Sequence, residues 1–185
     1  HIVIPENVTL MDTWSFGGAA LKQAIIIPLD APQSSAPFTS HSSELKLYVP
    51  DVDGYRASSF ASYGNLLEPM ATPDKTSFTQ DEQAAVNFTC NIPDYTMNVI
   101  SMPSLEQETG EHTAIVEAEF TGEETFNARL VYRYEIKPSA GIHTETAAQP
   151  QRGDVYTPDG ILVAEDIDIN IPLAVPAGIY IIKTG

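Results

Sequence analysis

The sequence predicts an all-β fold built as an antiparallel β-sandwich, and three observations predict it. Helical periodicity is nearly absent along the chain. Short segments alternate apolar and polar residues, as half-buried strands do. Fourteen prolines and eleven glycines punctuate those segments in a chain of 185 residues.

In order, residues 1–28 offer strands at 2–4, 8–11 and 21–28. Ala24, Ile25, Ile26 and Ile27 are apolar at every position, so this strand is expected at the centre of a sheet covered on both faces. Gly17 and Gly18 mark a turn or a close backbone approach. The Ser- and Pro-rich stretch 31–43 reads as a loop. Leu45, Leu47 and Val49 alternate with Glu44, Lys46 and Tyr48 as a half-buried strand. Residues 51–78 form a long excursion with one helical turn near 58–67. Long excursions in compact domains often carry function.

Residues 81–137 are the best specified. Ala84, Val86, Phe88 and Cys90 share one face, and Tyr95, Met97 and Val99 another. A hairpin follows. Ala114, Val116, Ala118 and Phe120 point inward, and Leu130, Tyr132, Tyr134 and Ile136 point the same way on the return. Placing Phe120 opposite Phe126 sets Glu117 opposite Arg129, a cross-strand pair that contributes ~0.2–1 kcal/mol and helps fix register. Arg129, Arg133 and Lys137 then read as a solvated strand face. Residues 139–153 are polar and turn-rich, a linker between a main β domain over 1–138 and a C-terminal module over 154–185. No internal repeat is evident. For the main domain the pattern fits an immunoglobulin-like or jelly-roll sandwich.

Composition excludes several functions. The chain is 43% hydrophobic, enough to build a core. Nine Lys and Arg stand against 25 Asp and Glu, a net charge of −16. Such a surface repels phosphate, which argues against nucleic acid and anionic lipid as partners. No apolar run approaches the ~20 residues of a membrane helix. Cys90 is the single cysteine, so no intrachain disulfide forms, and its alternation with Val86 and Phe88 reads as a small buried hydrophobe rather than a nucleophile. No signal peptide is recognised, and the first residue is His1.

The C-terminal module carries two short apolar strands, 161–164 and 179–183, each behind a turn signal: Pro158-Asp159-Gly160 and Pro176-Ala177-Gly178. The residues Tyr156, Asp159, Gly160 and Val163, followed by Pro176, Gly178, Ile179, Tyr180, Ile181 and Ile182, resemble the C-terminal sorting domain of Bacteroidetes type IX secretion substrates. The resemblance covers about the last fifth of the chain. It implies export from a Bacteroidetes-like background, a module that acts as an address read by the secretion machinery, and attachment at the cell surface.

No catalytic constellation is recognised. His1, His41, His112 and His143 lack zinc-ligand spacing, and no nucleophile elbow, P-loop or dinucleotide fingerprint is present, so no catalytic residue, metal site or cofactor is assigned. Asp51-x-Asp53-Gly54 is half of a calcium-loop pattern, but the twelfth position is Ser62, and a β-turn with a solvated aspartate explains it better. Asp166 and Asp168 alternate with Ile167 and Ile169 as a strand does. Arg152-Gly153-Asp154 matches the integrin-type adhesion tripeptide by chance-length identity. Asn7-Val8-Thr9 and Asn87-Phe88-Thr89 are glycosylation sequons that matter only in a eukaryotic secretory pathway.

Aromatic residues remain. Trp14, Phe16, Tyr55, Phe60 and Tyr63 fall in loops or irregular segments, where exposed rings stack on sugars or anchor partners and buried ones roof the core; Trp14, Tyr55, Phe60 and Tyr63 are the candidate ligand-binding residues. Trp14, the lone tryptophan, beside Gly17-Gly18, is the first candidate for a binding role. The expectation is a non-enzymatic, extracellular or cell-surface protein with a binding, adhesion or structural role. A glycan-binding module using these aromatics and a viral capsid jelly roll are the two alternatives. An enzyme with a carboxylate-lined cleft ranks third.

Overall fold

The structure, a computed structural model, describes residues 1–18, 20–80, 82, 85–139, 152–168 and 179–184. Contacts divide the chain into two units, His1–Ser139 and Ala140–Gly185. Strands dominate both, as the sequence predicts.

The first unit opens with a parallel sheet, not an antiparallel one. Strands β1 (Ile2–Ile4), β3 (Gln23–Ile26), β5 (Lys46–Val49) and β6 (Leu67–Pro69) lie in the order β1-β3-β5-β6. Ile2 pairs with Ala24, Gln23 with Lys46 and Leu47 with Leu67, so successive strands are 22, 23 and 20 residues apart. The segment after each strand is too long for a hairpin, and returning the chain to the same edge makes the pairing parallel. Two of these returns carry their own parallel pair, β2 (Leu10–Met11) with β4 (Gln33–Ser34). The third carries α1 (Val52–Arg56) and a 3-10 turn (Ala61–Tyr63). This is a short solenoid of 20- to 23-residue coils.

The repeat that the sequence hides is visible in the structure. Phe16, Phe38 and Phe60 recur every 22 residues. Trp14 and Ala36, also 22 apart, both adopt positive φ, 63° and 62°. One phenylalanine and a short strand per coil, reading Ile-Val-Ile, Gln-Ala-Ile-Ile and Lys-Leu-Tyr-Val in turn, leave too few shared letters for the repeat to be read directly.

The parallel sheet is covered on both faces. Ile4, Ala24, Ile26, Leu47 and Val49 face the coil interior with Met11, Phe38, Leu45, Tyr55, Phe60 and Tyr63. Ile25 and Tyr48, with Ile27 and Met70, face a second cluster shared with the next sheet, and Val3 packs against it. Ile25 and Ile26 are both fully buried, one in each cluster, as the unbroken apolar run predicts.

The second sheet contains β8 (Ser77–Thr79), β10 (Thr96–Ser101), β11 (Gly110–Thr121) and β12 (Thr125–Lys137), ordered β10-β11-β12-β8. The β10, β11 and β12 pairs are antiparallel, and β8 adds to β12 in parallel. Phe120 lies opposite Phe126 and Glu117 opposite Arg129. All eight predicted inward residues of this hairpin are buried. Between the sheets in sequence, β7 (Ala71–Pro73) pairs antiparallel with β9 (Phe88–Cys90). Val86, Phe88 and Cys90 pack against the shared cluster, while Ala84 lies outside the described residues. Val99 does not face inward with Tyr95 and Met97: the β10 register shifts after it, leaving Val99 and Ile100 exposed.

The second unit is a three-stranded antiparallel sheet, β14-β13-β15, with β13 (Arg152–Tyr156) between β14 (Leu162–Asp168) and β15 (Ile181–Thr184). The two predicted terminal strands are present but do not pair with each other, because β13 separates them. β13 begins inside the expected linker, most of which lies outside the described residues, as do Pro176 and Gly178. The first turn closes through Thr157 N–H to Ile161 O at 2.9 Å, with Gly160 at φ 87°. No helix among the described residues is long and apolar enough to cross a membrane.

Candidate functional site

Trp14 sits on the outer turn of the first coil. The Asp12 carbonyl accepts the Ser15 N–H at 3.2 Å and the Ser15 hydroxyl at 2.8 Å, tightening the turn. Gly17 N–H then donates to Trp14 O at 3.0 Å. A Cβ on Gly17 would come within 2.5 Å of the indole Cε3, so the ring lies where only glycine leaves room. The turn is held to the second coil by three backbone hydrogen bonds: Trp14 N–H to Ala36 O, Phe16 N–H to Pro37 O and Gly18 N–H to Thr39 O, at 3.4, 2.9 and 3.1 Å. The indole itself is 60% exposed, beside a first coil whose Leu10 is 61% exposed.

Tyr55, Phe60 and Tyr63 do not join it. All three are buried inside the coils. The Tyr55 hydroxyl donates to Pro28 O at 2.7 Å, and burial raises its phenol well above the ordinary range. Tyr63 Oη accepts the Phe38 N–H at 3.3 Å. Phe16 stacks on Phe38 with centroids 5.3 Å apart, and Tyr63 meets Phe38 edge-on at 5.7 Å. The aromatics of residues 51–78 therefore form the spine of the solenoid. Their irregular sequence context comes from the coil's tight turns, which mimic a loop when the repeat is not seen.

A groove of about 390 Å³ lies between α1 and β12, lined in part by Asp51, Asp53, Arg56, Glu68, Phe88 and Arg133. Its three carboxylates are already matched. Arg133 Nη1 and Nη2 donate to the two Asp51 oxygens at 2.7 and 2.8 Å, and Nη1 lies 3.6 Å from Asp53. The Lys46 ammonium donates to Glu68 at 2.6 Å. The Arg133 guanidinium holds the Asp51 carboxyl below the usual carboxylate range, and Asp51 raises Arg133 in return. A carboxylate so held has no proton to exchange near neutral pH.

The geometry also revises the reading of this segment. Asp51-x-Asp53-Gly54 opens a helix rather than a solvated β-turn, and Gly54 leaves space for the Asp51 carboxylate, whose Oδ2 would lie 2.6 Å from a Cβ there. Arg129 and Arg133 are not a free strand face. Arg129 reaches Glu6 at 2.7 Å, although Glu117 is its register partner, so both arginines tie the hairpin to the coils. Among the described residues, no polar or charged residue is buried, and no three His, Cys, Asp or Glu side chains gather to hold a metal.

In the second unit, the turn at Asp159 and Gly160 joins Tyr156, at the end of β13, to β14, which carries Val163. Ile179 and Tyr180 lead into β15. The Arg-Gly-Asp tripeptide lies within β13 rather than on a loop tip. Arg152 is bonded to the Asp166 carboxylate, and Asp154 accepts the Asp166 N–H at 2.9 Å. Val155 is fully buried, whereas Ile161, Leu162, Val163, Ile179, Ile181 and Ile182 are exposed.

Comparison with protein-family models, with curated proteins and with solved structures found no match.

Proposed function

We propose that this is a non-enzymatic, secreted or cell-surface protein with a binding or structural role, and that it makes contact through the outer turn of the first coil. The observation that carries the reading is the conformation of Trp14. A bulky residue at φ 63° costs about 1–2 kcal/mol over an ordinary backbone. The ring gains little burial in exchange, being 60% exposed. Rigidly presented tryptophan is the side chain on which protein partners most often anchor. The net charge of −16 supports a soluble, phosphate-avoiding surface. The two large sheets of the first unit share one apolar cluster, and this supports a rigid platform behind the turn.

For the second unit we propose the role of a sorting signal read by a secretion machinery. Two features support it: the strand–turn–strand placement of Tyr156, Asp159, Gly160 and Val163, and the exposed isoleucines of a sheet too small to bury them alone. Intact mass of the protein from culture fluid and from washed cells tests this role. Loss of the segment after about residue 138 supports it, and a full-length chain in both fractions opposes it.

Tryptophan-selective oxidation tests the contact face, because Trp14 is the only tryptophan. Rapid labelling of the isolated protein with protection on washed cells supports the reading. Equal labelling in both overturns it. A shift of Trp14 fluorescence on titration with oligosaccharides would assign the face to a glycan instead.

A further inference from the structure

We propose that His1 is a pH-sensitive clasp: its protonated imidazole ties the start of β1 to the tip of the β11–β12 hairpin through Glu123 and Glu124, and loss of the proton toward neutral pH loosens that end of the first unit.

The strand period places the ring. Alternate residues along β1 take opposite faces, so His1 shares the face of Val3. Val3 packs against the cluster shared with the hairpin sheet, while Ile2 and Ile4 belong to the coil interior. The imidazole meets Tyr95 edge-on, with centroids 6.4 Å apart. Tyr95 in turn packs on Phe126 at 5.7 Å and against Gly122, which seats the imidazole beside the hairpin turn. Gly122 N–H donates to Glu124 O at 3.2 Å, and this tight turn presents two consecutive carboxylates to the ring. Glu123 Oε2 lies 3.3 Å from Nδ1, and Glu124 Oε1 lies 3.8 Å from Nε2. The His1 side chain is only 20% exposed.

One carboxylate at each ring nitrogen is an arrangement that the cation satisfies and the neutral ring does not. Imidazolium carries a proton on both nitrogens and donates to both carboxylates. Neutral imidazole keeps a lone pair on one nitrogen, and that lone pair then faces a carboxylate. Without the cation between them, Glu123 and Glu124 also repel each other. The clasp is therefore closed below the ordinary histidine range and is lost as pH rises through it. It is lost again in acid, once the two carboxylates gain protons. Its stabilisation peaks between the two ranges, at about pH 5–6.

The other groups around the ring keep their charge in that window. Burial pushes the Tyr95 phenol up, so it stays neutral. β3, the strand paired with β1, begins at the uncharged Gln23, and Lys22 ahead of it is held by Glu44 at 3.0 Å. Two further ion pairs tie the hairpin to the coils, Arg129 with Glu6 and Arg133 with Asp51, and both stay charged from about pH 5 to about pH 8. Among the described residues, His1 is thus the tie across this junction whose charge changes there. The α-amino group on the same residue titrates close by, and the test moves it away.

The test compares the full chain with His1→Gln and with the double variant Glu123→Gln/Glu124→Gln. All three carry an added Gly-Ser ahead of residue 1, so that the α-amino group no longer sits on it. Thermal melting and amide exchange at Ile2–Ile4 are followed from about pH 5 to about pH 8. Glu123 and Glu124 are 79% and 56% exposed, so solvent screens the clasp and the effect is small. The reading is the change of each gap with pH, because removing two negative charges from an acidic chain shifts stability by itself. The expected result is a gap between wild type and His1→Gln that widens by about 1–3 °C from pH 8 to about pH 5–6, with several-fold slower exchange in the wild type at the acid end. The gap to the double variant should move the same way. A gap to His1→Gln that is constant with pH overturns the proposal, since the ring then acts by packing on Tyr95 alone. So does a pH-dependent gap that is undiminished when His1→Gln is made in the double variant, since the carboxylates then take no part.

Discussion

Arg133 of β12 grips Asp51, the residue after β5 and Pro50, through two parallel hydrogen bonds of 2.7 and 2.8 Å. The pair joins the hairpin sheet to the last coil, and Val131 N–H to Pro50 O at 3.1 Å seals the same junction. The Asp51 side chain is 12% exposed and that of Arg133 is 47% exposed, so solvent screens the pair on one side.

Breaking this pair should loosen the junction. Arg133→Met and Asp51→Asn are each expected to cost about 1 kcal/mol after allowance for screening. In a double-mutant cycle the two should couple by about 0.5 kcal/mol or more. The pH dependence has a definite sign. Arg133 lowers the Asp51 carboxyl, so the stabilisation is full above the ordinary carboxylate range and is lost as pH falls through the lowered value. Urea denaturation of both proteins across the acid range should show the gap between wild type and Asp51→Asn closing there. A constant gap would mean that the charge does not carry the contact.

Gly122 marks a close approach. A Cβ there would lie 2.7–2.8 Å from ring carbons of Tyr95, which is itself buried. Gly122→Ala should therefore destabilise the hairpin end by about 1–3 kcal/mol through overpacking. Thermal melts of the double variant with Tyr95→Leu should recover part of that loss. Equal losses in both would place the effect elsewhere than at the ring.

The aromatic spine predicts a graded response. Phe38 is fully buried between Phe16 and Tyr63, so Phe38→Ala should cost about 3–5 kcal/mol. Phe16 is only half-buried, and Phe16→Ala should cost less than half as much, about 1–2 kcal/mol. Chemical denaturation of the two single variants decides it, and equal losses would contradict the ladder.

The long hairpin was legible because its pattern is local. Alternation from Ala114 to Phe120 and from Leu130 to Ile136, broken by Ile115 and Val131, sets both face and register, and the eight inward residues are all buried. The doubly covered strand at Ile25 and Ile26 was legible for the same reason. What the sequence concealed is non-local. Parallel pairing of Ile2 with Ala24 depends on the path of twenty-one intervening residues, which no dipeptide signal records. Tyr55, Phe60 and Tyr63 read as candidate binding rings because their neighbours include Ser, Gly and Asp. In a coil those polar residues make the turns while the rings fill the interior. Trp14 stood out by rarity and by its neighbouring glycines, and those glycines do shape its position.

Cys90 should behave as an inert thiol. It packs against the shared core, its sulfur lies 3.8 Å from Ile92 O, and burial raises its pKa. Reaction with an aromatic disulfide reagent at pH 8 should run at least ~10-fold slower in the native protein than in denaturant. Equal rates would reveal an exposed, activated thiolate.

Trp14 offers a separation of stability from contact. Its φ of 63° is one that asparagine adopts more readily than tryptophan. Trp14→Asn removes a mostly exposed ring, so little burial is lost. The stability of the variant is therefore expected to equal that of the wild type or exceed it by up to about 1 kcal/mol, read as a Tm rise of roughly 2–4 °C. The same substitution deletes the ring that a partner would cover, and co-sedimentation with washed cells should fall with it. Gly17→Ala acts on the same turn from the other side. Its methyl group would enter the space that Cε3 occupies, displacing the indole without removing it. Retention on cells should drop in both variants while only Gly17→Ala lowers Tm. A Trp14→Asn protein that melts early would show that the ring supports the coil rather than a partner, and the contact face would then have to be sought elsewhere.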